Sequence, residues 1–293
     1  MKTVKGKLDI GRFEVPYRVY GDHKNTLICV SGALQTMAIW RSVVKRFSAH
    51  FTVVIFDMPG IGRSEIKSGG AHITVEEQIQ TLHSLIGETH TGGELTLAGS
   101  SWGTAIAAAY AALYPDAVQH LVLSSFGMQP NEGMKELVRR AAALYEAGNY
   151  AGGADLILDL FGSQIGASYK KQIIAQFKQL NEIHAESFYQ HTVNILKLGR
   201  LDEVIDLTEI RARTFIINGA DDTIIDLDDM YVAERLIPDC EIQLVPDVGH
   251  FLHFERPELL DDYARFMLQE ETPVHSPGTS NGSHTEGQKT RKL

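Results

Sequence analysis

Short apolar runs rich in β-branched residues alternate along the chain with longer segments of helical period. The runs at residues 26–30, 52–57, 95–99, 120–125, 213–218 and 241–245 predict buried strands. Segments 37–47, 74–89, 102–114, 227–236 and 257–269 space their apolar residues as helices do. Thr74-x-x-Glu77 is a capping-box signature at the head of the second of these. A β-α-β-α order predicts an α/β fold, a mainly parallel sheet with helices on both faces. Segments 7–13 and 15–20 predict an antiparallel hairpin at the sheet edge.

Residues 127–200 break this pattern. They read as helix throughout and are too long for a loop between strands. The expectation is a helical cap inserted into a core formed by residues 1–126 and 201–270. From Thr272 onward only Val274 and Leu293 are large and apolar, so residues 271–293 are expected to form a disordered tail. The final Arg-Lys-Leu lacks the serine of a peroxisomal address. No internal repeat is visible.

Composition narrows the picture only a little. The 293 residues are 44% hydrophobic and 22% charged, as in ordinary globular proteins. With 27 basic and 37 acidic residues the formal charge is −10, and no basic run suggests a nucleic-acid face. Cys29 and Cys240 make no disulfide framework; Cys29 lies in an apolar run and reads as a buried thiol, with no partner at metal-ligand spacing. The N-terminus has no apolar signal region, and no window holds 18 consecutive apolar residues. A cytoplasmic location and no membrane span are the expectations.

The chemistry gathers around Gly99-Ser100-Ser101-Trp102-Gly103, a match to G-x-S-x-G. A lone match is weak, but this one follows a strand and opens the Ala-rich helix AIAAAYAALYP. Such a turn holds its serine in a strained conformation, with small residues two before and two after so that strand and helix pass closely. The hydroxyl then stands at the sheet edge, over a helix N-terminus suited to a developing anion. Ser100 is the competing hydroxyl, with the wrong spacing to the glycines. In this setting the motif resembles the nucleophile turn of the α/β-hydrolase fold.

That resemblance implies roles for other motifs. Strand 26–30 ends in Val30-Ser31-Gly32-Ala33-Leu34, where many such hydrolases carry His-Gly. The N–H groups of Ala33 and Trp102 are the implied oxyanion hole. Asp57-Met58-Pro59-Gly60-Ile61-Gly62-Arg63-Ser64 resembles a turn common in the fold and reads as structural, with Asp57 and Ser64 bonding loop backbone. Gly249-His250 follows the last predicted strand, and with Glu255-x-Pro257 it resembles the histidine loop, making His250 the general base. His253 reads as a surface or packing histidine. The acid falls a few residues past Gly219, where Asp222 fits better than Asp221. No carboxylate lies in 124–131, the other place where members of the fold carry it. The order Ser, Asp, His is that of the fold.

A narrower resemblance appears in Ser101-Trp102-Gly103, Ser31-Gly32-Ala33, Asn218-Gly219, Pro238-Asp239-Cys240 and Gly249-His250-Phe251-Leu252. Within the insertion it extends to Asn131, Glu132, Met134, Tyr150, Leu156, Asp159, Glu186 and the run from His191 to Leu196. These resemble the RhlA- and PhaG-like 3-hydroxyacyl transferases of bacteria; Pro59-Gly60-Ile61-Gly62 departs toward generic hydrolases. The resemblance implies an activated 3-hydroxy fatty acid, carried as a thioester of acyl carrier protein (ACP) or coenzyme A. Ser101 would take the first acyl group. A second molecule's 3-hydroxyl would resolve the acyl-enzyme, giving a 3-(3-hydroxyalkanoyloxy)alkanoic acid. No metal or organic cofactor is implied.

Transfer in place of hydrolysis needs a dry site. The apolar stripe Leu156, Ile157, Leu158, Leu160 and Phe161 could supply it or serve helix packing alone. His191 could face the pocket or be structural. Lys170, Lys171 and Lys178 could meet the phosphopantetheine or an acidic carrier, or form a solvated face. The alternatives are an ordinary serine hydrolase of esters, lactones or thioesters, and a non-enzymatic ligand receptor. A dehalogenase of this fold would need Asp at position 101.

Overall fold

The computed structural model describes residues 2–161, 165–197 and 199–269; the expected tail lies outside them. The strands are β1 (Thr3–Ile10), β2 (Phe13–Tyr20), β3 (Thr26–Val30), β4 (Thr52–Phe56), β5 (Glu65–Ile66), β6 (Leu95–Ser100), β7 (His120–Ser124), β8 (Arg213–Gly219) and β9 (Cys240–Val245). They form one sheet in the order β1-β2-β4-β3-β6-β7-β8-β9, with β5 paired to β2. All neighbours from β4 to β9 are parallel, and the pairings of β2 are antiparallel.

The central strands are continuous apolar runs because helices cover both faces. Side chains alternate between the faces. Ile28 and Val30 join one core with Leu97, Leu123 and Ile216. Leu27 and Cys29 join the other with Phe215, Ile217 and Phe266. Helices α2 (Val75–Thr89), α3 (Trp102–Leu113) and α9 (Asp228–Leu236) serve the first core, and α1 (Arg41–Phe47), the short α10 (Leu252–Glu255) and α11 (Leu259–Leu268) the second. The cap of α2 is reciprocal: Thr74 Oγ1 accepts from Glu77 N at 3.1 Å, and Glu77 Oε2 accepts from Thr74 N at 2.8 Å.

Two elements differ from the sequence pattern. The hairpin turns at Gly11–Arg12 rather than near residue 14. Gly11 takes φ +63°, and this register points Phe13, Val15 and Tyr17 all inward. Segment 37–47 divides into a 3₁₀ turn, Met37–Trp40, followed by α1. The Met37 N–H is turned to the Asp57 carboxylate at 2.7 Å, which ties this first turn to the end of β4.

Between β7 and β8 lie α4 (Glu132–Glu146), α5 (Gly152–Phe161), α6 (Ala167–Lys178), α7 (Glu182–Lys197) and the short α8 (Leu201–Val204). The helices α4 to α6 share a third apolar cluster, including Leu137, Leu156, Phe161 and Phe177, that also takes in Leu34 after β3 and Ile224 after β8. The two ends of this insertion are stitched together. Leu201 N donates to Met128 O at 2.8 Å, and Met128 N donates to the buried Asp229 at 2.7 Å. Helix α7 is tied to the loops on either side of β5: His184 meets Ser64 O at 3.4 Å, and Asn194 Nδ2 donates to Ile73 O at 3.0 Å. Among the described residues no helix is long and apolar enough to cross a membrane.

Candidate active site

Ser101 sits between β6 and α3 with φ 52° and ψ −126°. A non-glycine residue held there costs on the order of 1–3 kcal/mol. The flanking glycines permit it. A Cβ on Gly99 would lie 2.7 Å from Gly103 O, and one on Gly103 would lie 2.2 Å from Val30 O. Strand and helix therefore pass at a distance that only glycines allow. Ser100 is the last residue of β6, paired with Ser124 in the sheet.

The Ser101 Oγ lies 2.9 Å from His250 Nε2, and His250 Nδ1 lies 2.6 Å from Asp222 Oδ2. These residues come from three loops at the same end of the sheet. Asp222 is 7% exposed and also accepts from Ile224 N at 3.0 Å, which orients its carboxylate. Its neighbour Asp221 is exposed.

The His250 loop is braced on both sides. Glu255 Oε2 accepts from Gly249 N at 2.6 Å and Oε1 from Phe251 N at 2.9 Å. Ser125, itself at φ 58°, donates from Oγ to His250 O at 2.6 Å. Sequence reasoning missed Ser125, a single hydroxyl with no motif around it. His253 is buried, stacks on Trp40 at 6.0 Å, and has its pKa pushed down to about 4 by burial. It packs rather than reacts.

The loop after β3 is held by its own side chains. Gly32 N donates to Gln35 Oε1 at 2.7 Å, and Trp40 Nε1 donates to Ser31 Oγ at 2.9 Å. A Cβ on Gly32 would lie 2.9 Å from Ser101 Cβ, so glycine brings this loop against the serine. Ala33 and Trp102 line the same cavity as Ser101. As the first residue of α3, Trp102 has no intrahelical acceptor for its N–H. Asp57 reads as structural: its two oxygens accept from Met37 N and from Arg63 N, the latter at 2.9 Å, and burial raises its pKa.

The cavity has a volume of about 570 Å³ and is roofed by the inserted helices. Ile157, Phe161, Phe177 and Phe188 line it. Phe161 stands 5.7 Å from the His250 ring. Leu156, Leu158 and Leu160 do not reach it and pack within the inserted helices instead. His191 is likewise buried outside the lining, edge-on to Trp102 at 5.1 Å, with its pKa pushed down to about 4 by burial. Among the described residues no three His, Cys, Asp or Glu side chains gather as a metal site.

The mostly parallel sheet, the strained serine turn and the Ser-Asp-His order define a protein of the α/β-hydrolase fold. The family model for that fold matches residues 25–169. Over 259 residues the chain is 24% identical to an (R)-3-hydroxydecanoyl-ACP:CoA transacylase of Pseudomonas putida, covering 86% of this chain and 87% of that protein. Over 257 residues it is 23% identical to monoacylglycerol lipase ABHD6 of Homo sapiens, covering 84% and 76%. The structure of MGS-M2, an α/β hydrolase enzyme from a deep-sea metagenome library, is similar with a TM-score of 0.77 at 17% identity, over 92% of this chain and 100% of that one.

Proposed function

We propose that the chain is a serine-dependent acyltransferase acting on 3-hydroxyacyl thioesters of ACP or coenzyme A. The observation that carries this reading is the hydrogen-bonded series Ser101–His250–Asp222 opening onto a cavity roofed by apolar helices. In this reading residues 127–200 act as a cap. His250 takes the Ser101 proton through Nε2 as Oγ attacks the thioester carbonyl, and Asp222 stabilises the imidazolium at Nδ1. The N–H groups of Ala33 and Trp102 receive the oxyanion. The thiolate leaves with the proton from His250. The same nitrogen then deprotonates the acceptor, the 3-hydroxyl of a second thioester, whose oxygen attacks the acyl-enzyme carbonyl. Ser101 Oγ leaves and takes the proton back from His250. The ester-linked pair of acyl groups departs on the second carrier, from which hydrolysis of the remaining thioester frees the acid.

The relatives named as transacylases support transfer; the lipase relative favours the second reading, an ordinary ester or thioester hydrolase. Product analysis separates the two. With 3-hydroxydecanoyl thioester, transfer predicts mainly the dimeric ester, while plain decanoyl thioester turns over slowly for want of an acceptor hydroxyl. Free acid from both at similar rates would make the chain a hydrolase. Ser101→Ala should abolish turnover with the fold intact, and Asp222→Asn should be severe where Asp221→Asn is mild. Turnover of Ser101→Ala within about tenfold of wild type, an effect of only about 1.4 kcal/mol, would refute the nucleophile.

A further inference from the structure

The active-site cavity does not end at its apolar wall. It extends past the loop after β3 to Arg18 on β2, Arg41 at the start of α1 and Arg63 in the loop after β4. A recess beside it shares Arg18, Arg63 and His184 and adds Lys5 and Lys7. Most described arginines are engaged in ion pairs, Arg12 with Glu77 and Arg200 with Asp202 among them. Among the described residues Arg18, Arg41 and Arg63 form none.

Three guanidinium groups without an ion pair thus line one cavity in a chain of formal charge −10, Arg18 half-buried and Arg41 and Arg63 open to solvent. One carboxylate offsets them only in part. Asp57 lines the cavity and its charge acts on Arg63 and Arg18 through space, but its oxygens are bonded to backbone N–H groups and it forms an ion pair with neither, so the three guanidinium groups keep a net positive charge. Glu65 lines the recess and is exposed to solvent. Cations that line one cavity can share an anion, and guanidinium suits phosphate because its planar fork donates two hydrogen bonds at once. Lys170, Lys171 and Lys178, the cations that the sequence suggested for this task, do not line the cavity.

We propose that Arg18, Arg41 and Arg63 form an anion site at the outer end of the cavity, which holds the phosphate of a phosphopantetheine thioester while its acyl group lies at Ser101. This rests on the reading of the chain as a thioester acyltransferase and adds the part of the carrier that the protein grips. The 4′-phosphopantetheine arm is common to acyl-coenzyme A and acyl-ACP, and its phosphate is the shared chemistry.

The test compares 3-hydroxydecanoyl thioesters of pantetheine, which has no phosphate, and of 4′-phosphopantetheine. Wild type should favour the phosphorylated substrate by about tenfold to a hundredfold in kcat/KM, the range of one or two charge-assisted contacts, mainly through KM. In Arg18→Gln/Arg63→Gln that preference should fall to near unity, and Arg63→Lys should keep part of it. A second measurement is independent of turnover: coenzyme A titrated into Ser101→Ala by calorimetry should bind at least about tenfold more weakly once Arg18 and Arg63 are replaced. The same thioester on ACP and on coenzyme A separates the sources: the higher kcat/KM marks the native carrier, and the arginine dependence should appear with both, while its absence from both would overturn the site. Equal use of both pantetheine forms by wild type, or coenzyme A binding indifferent to the arginines, would overturn the site. Thioesters turned over without phosphate preference would leave the acyltransferase standing and remove the anion site. Coenzyme A bound through the arginines without thioester turnover would do the reverse.

Discussion

The Gln176 side chain on α6 donates from Nε2 to the carbonyl oxygen of Leu34, joining residues 142 positions apart. Leu34 takes φ 60°, a conformation that leucine adopts only when its surroundings hold it there. It follows Ala33, whose N–H is proposed to receive the oxyanion. The inserted helices therefore grip the loop on which that proposed donor sits. Gln176→Ala should lower kcat by about tenfold, the loss expected from a misplaced oxyanion donor of modest displacement, with a smaller change in KM. Gln176→Glu, whose carboxylate cannot donate, should be no better. A wild-type kcat for both would show that Leu34 holds its conformation unaided.

The turn at Ser101 makes a sharp stability prediction. In Gly103→Ala the new methyl group would meet Val30 O at 2.2 Å and Ser31 O at 2.7 Å, both backbone atoms of a central strand or its end. Neither can move without disturbing β3, so a loss at or above the usual overpacking cost of about 1–3 kcal/mol is expected. Gly87, in the last turns of α2, has nothing within 4 Å of its would-be Cβ. Gly87→Ala should gain about 0.5–1 kcal/mol from helix propensity. Thermal denaturation of the two variants side by side checks this, and the opposite order would mean that the strand-helix spacing is wrong.

Two buried histidines set an acid limit. Burial pushes the pKa of both His191 and His253 from the usual 6.5 down to about 4. Between those values the unfolded chain binds protons that the folded chain refuses, so stability is fullest above about pH 6.5 and falls as the pH drops toward 4. Each group contributes at most about 3 kcal/mol to that fall. His253→Phe removes one titrating site while keeping a ring against Trp40 at the position of the present 6.0 Å stack. Its unfolding free energy, measured by urea titration across that window, should depend less steeply on pH than that of wild type. An unchanged slope would move the acid sensitivity elsewhere.

The core strands were legible because continuous apolar runs such as Leu27–Val30 need only local pattern to be read as doubly covered strands. Ser101, Asp222 and His250 were legible because each sits in a short motif beside a glycine, and these are the three side chains the structure sets in one hydrogen-bonded series. What stayed hidden depends on contacts across long separations. Nothing near Gln176 marks it as the partner of Leu34, and Arg18, Arg41 and Arg63 lie on three separate elements that meet only in the fold. The apolar run of α5 shows the same limit: Leu156, Ile157, Leu158, Leu160 and Phe161 wind round the helix with Asp159 exposed among them, and only packing decides that Ile157 and Phe161 face the cavity while Leu160 does not.

That division gives the test of how transfer is favoured over hydrolysis. In the proposed reaction the acyl-enzyme at Ser101 is attacked by whichever nucleophile His250 deprotonates, so a transferase must keep water from Nε2 and hold the acceptor hydroxyl there. Positioning of that kind reaches effective molarities of about 10⁵ M or more, enough to outcompete residual water. Phe161, 5.7 Å from the His250 ring and 5.2 Å from Phe251, is the apolar side chain placed to exclude it. Phe161→Ser should therefore raise the fraction of free acid formed from 3-hydroxydecanoyl thioester, because it opens a polar path to the imidazole. Leu160→Ser, one residue away but turned into the helix cluster, should cost stability and leave the product ratio unchanged. The two variants are compared by mass spectrometry of products, alongside their melting temperatures. A ratio that shifts equally in both would mean that loosening of the inserted helices as a whole, and not the Phe161 ring, admits water. A ratio that shifts in neither would place water exclusion on the acceptor acyl chain itself.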